Sequence, residues 1–203
     1  MTTWNCRGTL LAGALLGLSA CDDMPLIGDA VAPAIGFLEQ LKVGGAKDAL
    51  ALSQTEMAEG AFTLVPPQGF CIDRNTLRQH FALMARCDTL GAPRLAGGAP
   101  LGLITVSVTA LEDGANLPGP LEVVEAAQLT HFDSEKSENN AVTFRAEGPA
   151  PGADLDRVHW RGLVQINTQL LGIAFYGPEG GRVVTPEGRD VINSLIRKTQ
   201  AAS

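Results

Sequence analysis

The chain lacks most of what would announce a chemistry. It has no Cys-x-x-Cys, no pair of histidines at metal-ligand spacing and no Gly-x-Ser-x-Gly elbow. These absences argue against a thioredoxin-like redox centre, a zinc site of common spacing and an α/β-hydrolase nucleophile. Aromatic residues make up only 5% of the chain, so Leu, Val, Ile and Ala must fill most of any core. Basic residues are also few, 15 Lys+Arg against 22 Asp+Glu. A duplex-binding surface needs clustered Lys and Arg, which argues against a nucleic-acid partner. The uncharged run Thr9–Leu18 is about half the roughly 20 residues that a spanning helix needs, so a permanent transmembrane segment is the weaker reading.

What is present begins at the N-terminus. Arg7 precedes the apolar run, and the run ends in the small residues Ser19 and Ala20. That charged, apolar, small-residue order is the order of a secretory signal. The four residues Leu18-Ser19-Ala20-Cys21 go further, because they resemble the bacterial lipobox. The resemblance implies a lipoprotein: Cys21 lipidated on sulfur, cleavage after residue 20, and an acyl anchor as the membrane contact. A second acyl chain makes such an anchor stable, since each buried methylene contributes about 0.8 kcal/mol and one chain alone is marginal. Asp22 and Asp23 follow directly. An aspartate after the lipidated cysteine resembles the inner-membrane retention signal of enterobacterial lipoproteins. These residues lead us to expect a protein of the bacterial envelope that faces the periplasm, with the inner membrane favoured over the outer.

Loss of residues 1–20 removes Arg7 and no acid: 15 Lys+Arg less one leaves 14, and 14 less 22 Asp+Glu is a net charge of −8. Such a chain does not adhere electrostatically to anionic lipid, which again leaves the acyl group to hold the membrane. Of the four cysteines, Cys6 leaves with the leader and Cys21 carries lipid, so Cys71 and Cys87 remain as an even pair in an oxidising compartment. We expect them to form a disulfide, with about 3 kcal/mol of stabilisation on the chain-entropy account.

Three regions follow: a signal peptide at 1–20, a tether with a short helical segment at 21–54, and a folded domain at 55–203. Pro25, Gly28, Pro33 and Gly36 interrupt the tether, and apolar residues from Ile35 to Leu52 recur loosely at helical intervals. In the domain, strands are expected at 61–65, 70–72, 81–87, 101–111 and 142–146, with a hairpin from Arg157–Asn167 and Leu170–Tyr176. Leu101–Leu111 is the clearest strand, with Ile104, Val106, Val108 and Ala110 facing the core. Asp73 is expected to cap a helical turn, Pro120 to open a helix through Leu129, 134–140 to be a charged turn, and Gly162 to mark a bulge. Thr185-Pro186-Glu187 is a helix start, and the helix it opens buries Val191, Ile192, Leu195 and Ile196.

Strands, a helix, more strands and a closing helix make an α+β domain, a single antiparallel sheet packed by helices. The segments FTLVPPQGF, LITVSVTAL, VHWRGLVQIN, LLGIAFYGP and VINSLIRK, in that order, resemble the Mog1/PsbP-like α/β/α sandwich. That resemblance implies a binding or assembly module, and it transfers no site residue, because no family site motif is matched.

The remaining polar features read as structural. His80, His131 and His159 stand alone and are expected as surface or hydrogen-bonded core histidines. Asp154 and Asp156 have calcium-loop spacing without the further oxygen ligands such a loop needs. Gly177–Arg182 precedes a helix, but Glu179 and Glu187 would repel a phosphate there. Ser194 lies in the closing helix. The expectation is therefore a non-enzymatic binding or accessory module with no cofactor, no metal and an envelope protein as partner. A hydrolase with a site assembled from distant residues, or a carrier of apolar ligands, is the alternative. Mass analysis of the unreduced protein should recover the Cys71 and Cys87 peptides joined; free thiols at both positions would remove the disulfide.

Overall fold

A computed structural model describes residues 50–203 apart from 93, 94, 113, 114 and 139. Cys21, Asp22, Asp23, the leader and nearly all of the expected tether lie outside the described residues. In chain order the elements are β1 (Ala51–Leu52), β2 (Thr55–Met57), β3 (Phe62–Leu64), β4 (Phe70–Asp73), β5 (Phe81–Arg86), β6 (Leu103–Ala110), α1 (Pro120–Ala126), β7 (His131–Glu138), β8 (Ala141–Glu147), β9 (Val158–Ile166), β10 (Gln169–Tyr176) and α2 (Pro186–Ala201). Eight strands form one sheet in the order β1-β4-β5-β6-β10-β9-β8-β7, and β2 and β3 make a separate hairpin. Every neighbouring pair is antiparallel. The fold class is α+β, a large antiparallel sheet with two helices among the described residues.

Successive side chains on a strand point to opposite faces, so each strand serves two layers. On the first face Ile104, Val106, Trp160, Val164, Ile173 and Phe175 are buried against Ile192, Leu195 and Ile196 of α2. The helix starts where its sequence says: the Thr185 side chain accepts the Glu187 N–H at 3.3 Å, and Pro186 occupies the first turn. Trp160 Nε1–H donates to the Thr185 carbonyl at 2.8 Å and so ties that start to β9. At the far end Thr199 Oγ1 accepts the Val65 N–H at 3.3 Å, which holds the chain after β3 against α2.

Several expectations are corrected. Gly162 is not at a bulge: it pairs in register with Thr143 on one side and Ile173 on the other. A Cβ there would lie 2.7 Å from Ile192 Cγ2, so the glycine lets α2 approach the sheet. The charged stretch 134–140 is not simply a turn. Most of it belongs to β7, an edge strand paired with β8 and bulged between Asp133 and Lys136. Pairing supplies its backbone hydrogen bonds, while exposed charges such as Glu135, Lys136 and Glu138 discourage further edge pairing. Asp73 caps no helix; its Oδ1 accepts the Asn75 N–H at 3.0 Å and turns the chain locally. The helix opened by Pro120 ends at Ala126 rather than Leu129, and Gln128 beyond it adopts a left-handed φ of 52°. Ala110 is exposed at the end of β6, and Leu52, read at helical spacing, lies in a strand paired with Ile72.

The second face has two apolar patches with an opening between them. Val142, Phe144, Ala146 and Leu163 pack beneath α1. At the other side Cys71 and Cys87 are bonded, with Cα atoms 4.9 Å apart, beside Ala85 and Leu90. Cys71 sits opposite Ala85 in the ladder, and Cys87 lies just past the end of β5.

Gly188 provides a test of how α2 is seated. Alanine normally stabilises a helix interior by about 1 kcal/mol over glycine. Here a Cβ would sit 2.0 Å from the Val183 carbonyl oxygen and 2.4 Å from Trp160 Cδ1. Gly188→Ala should therefore lower stability in urea unfolding by about 1–3 kcal/mol, the usual cost of overpacking. An unchanged or raised midpoint would contradict the close seat of α2 on Trp160.

Candidate functional site

The opening on the second face is a groove of about 630 Å³. Its floor comes from the central strands: Thr105, Ser107 and Thr109 of β6, Gly172 and Ala174 of β10, and Arg161 of β9. Its apolar wall comes from Leu117, Val123, Leu163 and Leu170. The volume lies within the range of small-molecule sites. The groove exists because α1 has only 7 residues and covers one side of the face alone.

Arg161 is the unusual member. Its Nε–H donates to His159 Nε2 at 2.9 Å, and its Nη2 donates to the Tyr176 hydroxyl at 3.1 Å. His159 in turn contacts the Arg157 carbonyl through Nδ1 at 2.9 Å. Since Nε2 accepts, the proton is on Nδ1, and the ring is the neutral tautomer with both nitrogens engaged. Tyr176 stacks on His159 with ring centroids 4.5 Å apart. His159 is wholly buried. Burial, reinforced by the charge of Arg161, pushes its pKa down to about 4. Burial also raises the Tyr176 pKa, with Arg161 opposing, and lowers that of Arg161, with Tyr176 opposing.

No carboxylate among the described residues pairs with Arg161. The other arginine ion pairs lie elsewhere, such as Arg145 with Asp133 and Arg182 with Glu187. His159 and Tyr176 therefore position a cation and do not neutralise it. His159 Nε2 is not placed to accept a substrate proton, because its lone pair already holds the Arg161 N–H. Chemically, the arrangement presents a fixed positive charge at the foot of a partly apolar groove.

The residues singled out from sequence are dispersed. His80 and His131 are exposed, and His131 Nε2 lies 3.9 Å from Asp133 Oδ2. Asp154 is exposed. Asp156 braces its own loop, accepting the Val158 N–H at 2.9 Å and the Gly180 N–H at 3.0 Å. That contact uses one of the glycine-loop N–H groups weighed for phosphate. Among the described residues no group of three or more His, Cys, Asp or Glu is placed to hold a metal. Ser194 is half-buried in α2. Arg161 and Tyr176 were missed by sequence reasoning. The available signal was a charged residue sharing strand parity with Leu163, in a strand otherwise rich in apolar residues.

No family model matches this chain, and no curated protein matches it. Two solved structures are similar to it. A point mutant of the protein Mog1 has 17% identity and a TM-score of 0.46, over 73% of this chain and 93% of its own. The solution structure of cyanobacterial PsbP (CyanoP) from Synechocystis sp. PCC 6803 has 12% identity and a TM-score of 0.36, over 80% and 97%. Both likenesses concern the arrangement of strands and helices and assign no activity.

The depressed His159 pKa has a consequence for stability. An unfolded histidine takes up a proton near pH 6.5, whereas the folded one does so only near pH 4. Between those values the unfolded state binds more protons, so stability falls as pH falls, by up to about 3 kcal/mol in total. Below pH 4 this contribution changes no further. Urea unfolding at pH 7 and pH 4 should show the native protein losing about that much more than His159→Gln. Equal losses in the two proteins would mean that the imidazole is not held neutral by the fold.

Proposed function

We propose that this protein is a non-enzymatic binding module of the bacterial cell envelope, anchored by acyl chains at Cys21, facing the periplasm and acting as an accessory to an envelope protein. The binding reading is carried by the groove: a rigid sheet floor, an apolar wall and a cation without an acidic partner. Rigid elements are the usual platform for such a site. The anchor is supported by Leu18-Ser19-Ala20-Cys21 and by the apolar run before it. Asp22 and Asp23 favour retention at the inner membrane.

A hydrolase reading would need paired carboxylates or a titratable histidine in the groove. Glu122 is the only acid lining it among the described residues, and its Oε2 accepts the Gly119 N–H at 2.7 Å. The carrier reading is favoured over the hydrolase by the apolar wall, and it is compatible with an accessory role.

The anchor and the partner are tested together. Cys21→Ala should move the protein from the detergent-extractable membrane fraction to the soluble periplasmic fraction. Crosslinking in intact cells should then recover a defined envelope partner with the native protein and lose it with the variant. A variant that stays in the membrane fraction sinks the lipid anchor. A native protein that captures no partner, where known complexes are recovered, sinks the accessory role.

A further inference from the structure

We propose that the groove is a site for an amphipathic monocarboxylate, with the apolar chain along Leu117, Val123 and Leu170 and the carboxylate on the guanidinium of Arg161. This inference rests on the reading of the chain as a binding module and names the chemistry of its ligand.

The first argument is charge. Arg161 is half-buried, and a guanidinium partly withdrawn from water is stabilised by an anion, since arginine cannot escape by losing its proton. His159 and Tyr176 accept two of its hydrogen bonds as neutral groups, so the compensation is left for an incoming anion. The second is orientation. Those two contacts, with the stacking of Tyr176 on His159, hold the guanidinium plane before any ligand arrives. A planar fork held in this way matches the two oxygens of a carboxylate.

The third argument is the remaining lining. Beyond Arg161 the floor carries the hydroxyls of Thr105, Ser107 and Thr109, while the wall of Leu117, Val123, Leu163 and Leu170 is aliphatic and suits a hydrocarbon chain. A phosphate dianion would meet a single cation, with Glu122 across the groove and a net charge of −7 on the chain. One negative charge on an apolar body is the better match to one cation.

The test uses the full chain bearing Cys21→Ala, which removes the acyl group and no described residue. Calorimetric titration with decanoate, 1-decanol and a short apolar peptide, free or amidated at its C-terminus, separates the possibilities. Decanoate should bind roughly tenfold or more tightly than 1-decanol, the effect of one charge-assisted pair. Arg161→Gln should reduce decanoate to the affinity of 1-decanol, and Arg161→Lys should retain part of the preference. Ala126→Trp, an exposed position at the groove, should weaken both ligands without disturbing the buried cluster. Decanoate binding that is unchanged by Arg161→Gln overturns the inference. Arg161-dependent binding of the free-ended peptide, without decanoate binding, overturns the ligand class and leaves the binding module standing. Failure of every probe removes the groove as a ligand site, and the module reading then depends on the crosslinked partner alone.

Discussion

Strand β9 is the constraint on which both layers depend. Its alternation sends Trp160 to one face and His159 and Arg161 to the other, and the two faces cannot be changed separately. Trp160 fixes where α2 begins, through its hydrogen bond to the Thr185 carbonyl. The glycines at 162 and 188 then allow the helix to lie close, because each has α2 or Trp160 within the space a Cβ would take. A one-residue slip of β9 would put a guanidinium beneath α2 and an indole in the groove. The unbroken pairing with β8 and β10 along the strand opposes that slip.

The parts of this arrangement that were legible in the sequence share one property: local pattern and tertiary demand agree. Ile104, Val106 and Val108 alternate and are buried, and Thr185-Pro186-Glu187 both looks like a helix start and is one. The stretch 134–138 shows the opposite case. Its polar composition is that of a turn, yet an edge strand needs burial on neither side chain face once its backbone is paired, so composition misleads. Gly162 suggests a bulge in the sequence because Val158, Trp160, Leu163 and Ile166 do not alternate cleanly. Its reason is a helix some thirty positions later, which no local window contains. The pairing of Cys71 with Cys87 was accessible because counting, rather than geometry, decided it.

The candidate site was the least legible. His159, Arg161 and Tyr176 come from two strands, and only the antiparallel register of β9 with β10 brings them together. Nothing in the spacing of His159 and Arg161 distinguishes a buried cluster from two solvated side chains on an edge strand. The distinction lies in strand order, since β9 has a neighbour on each side. Strand order follows from which hydrophobic faces fit one another, and it is not written in any one segment.

The short length of α1 leaves this cluster uncovered. A longer helix across the second face would bury more of Leu163 and Leu170 and stabilise the sheet by roughly 25 cal/mol per Å² of apolar surface covered. It would also seal Arg161 beneath it with only neutral partners, and an uncompensated buried charge costs several kcal/mol. After Ala126 the described chain turns at Gln128 and enters β7, whose Asp133 is committed to Arg145. In the open groove the second face buries its aliphatic patches and leaves Arg161, which has no carboxylate partner among the described residues, within reach of solvent or of an anion.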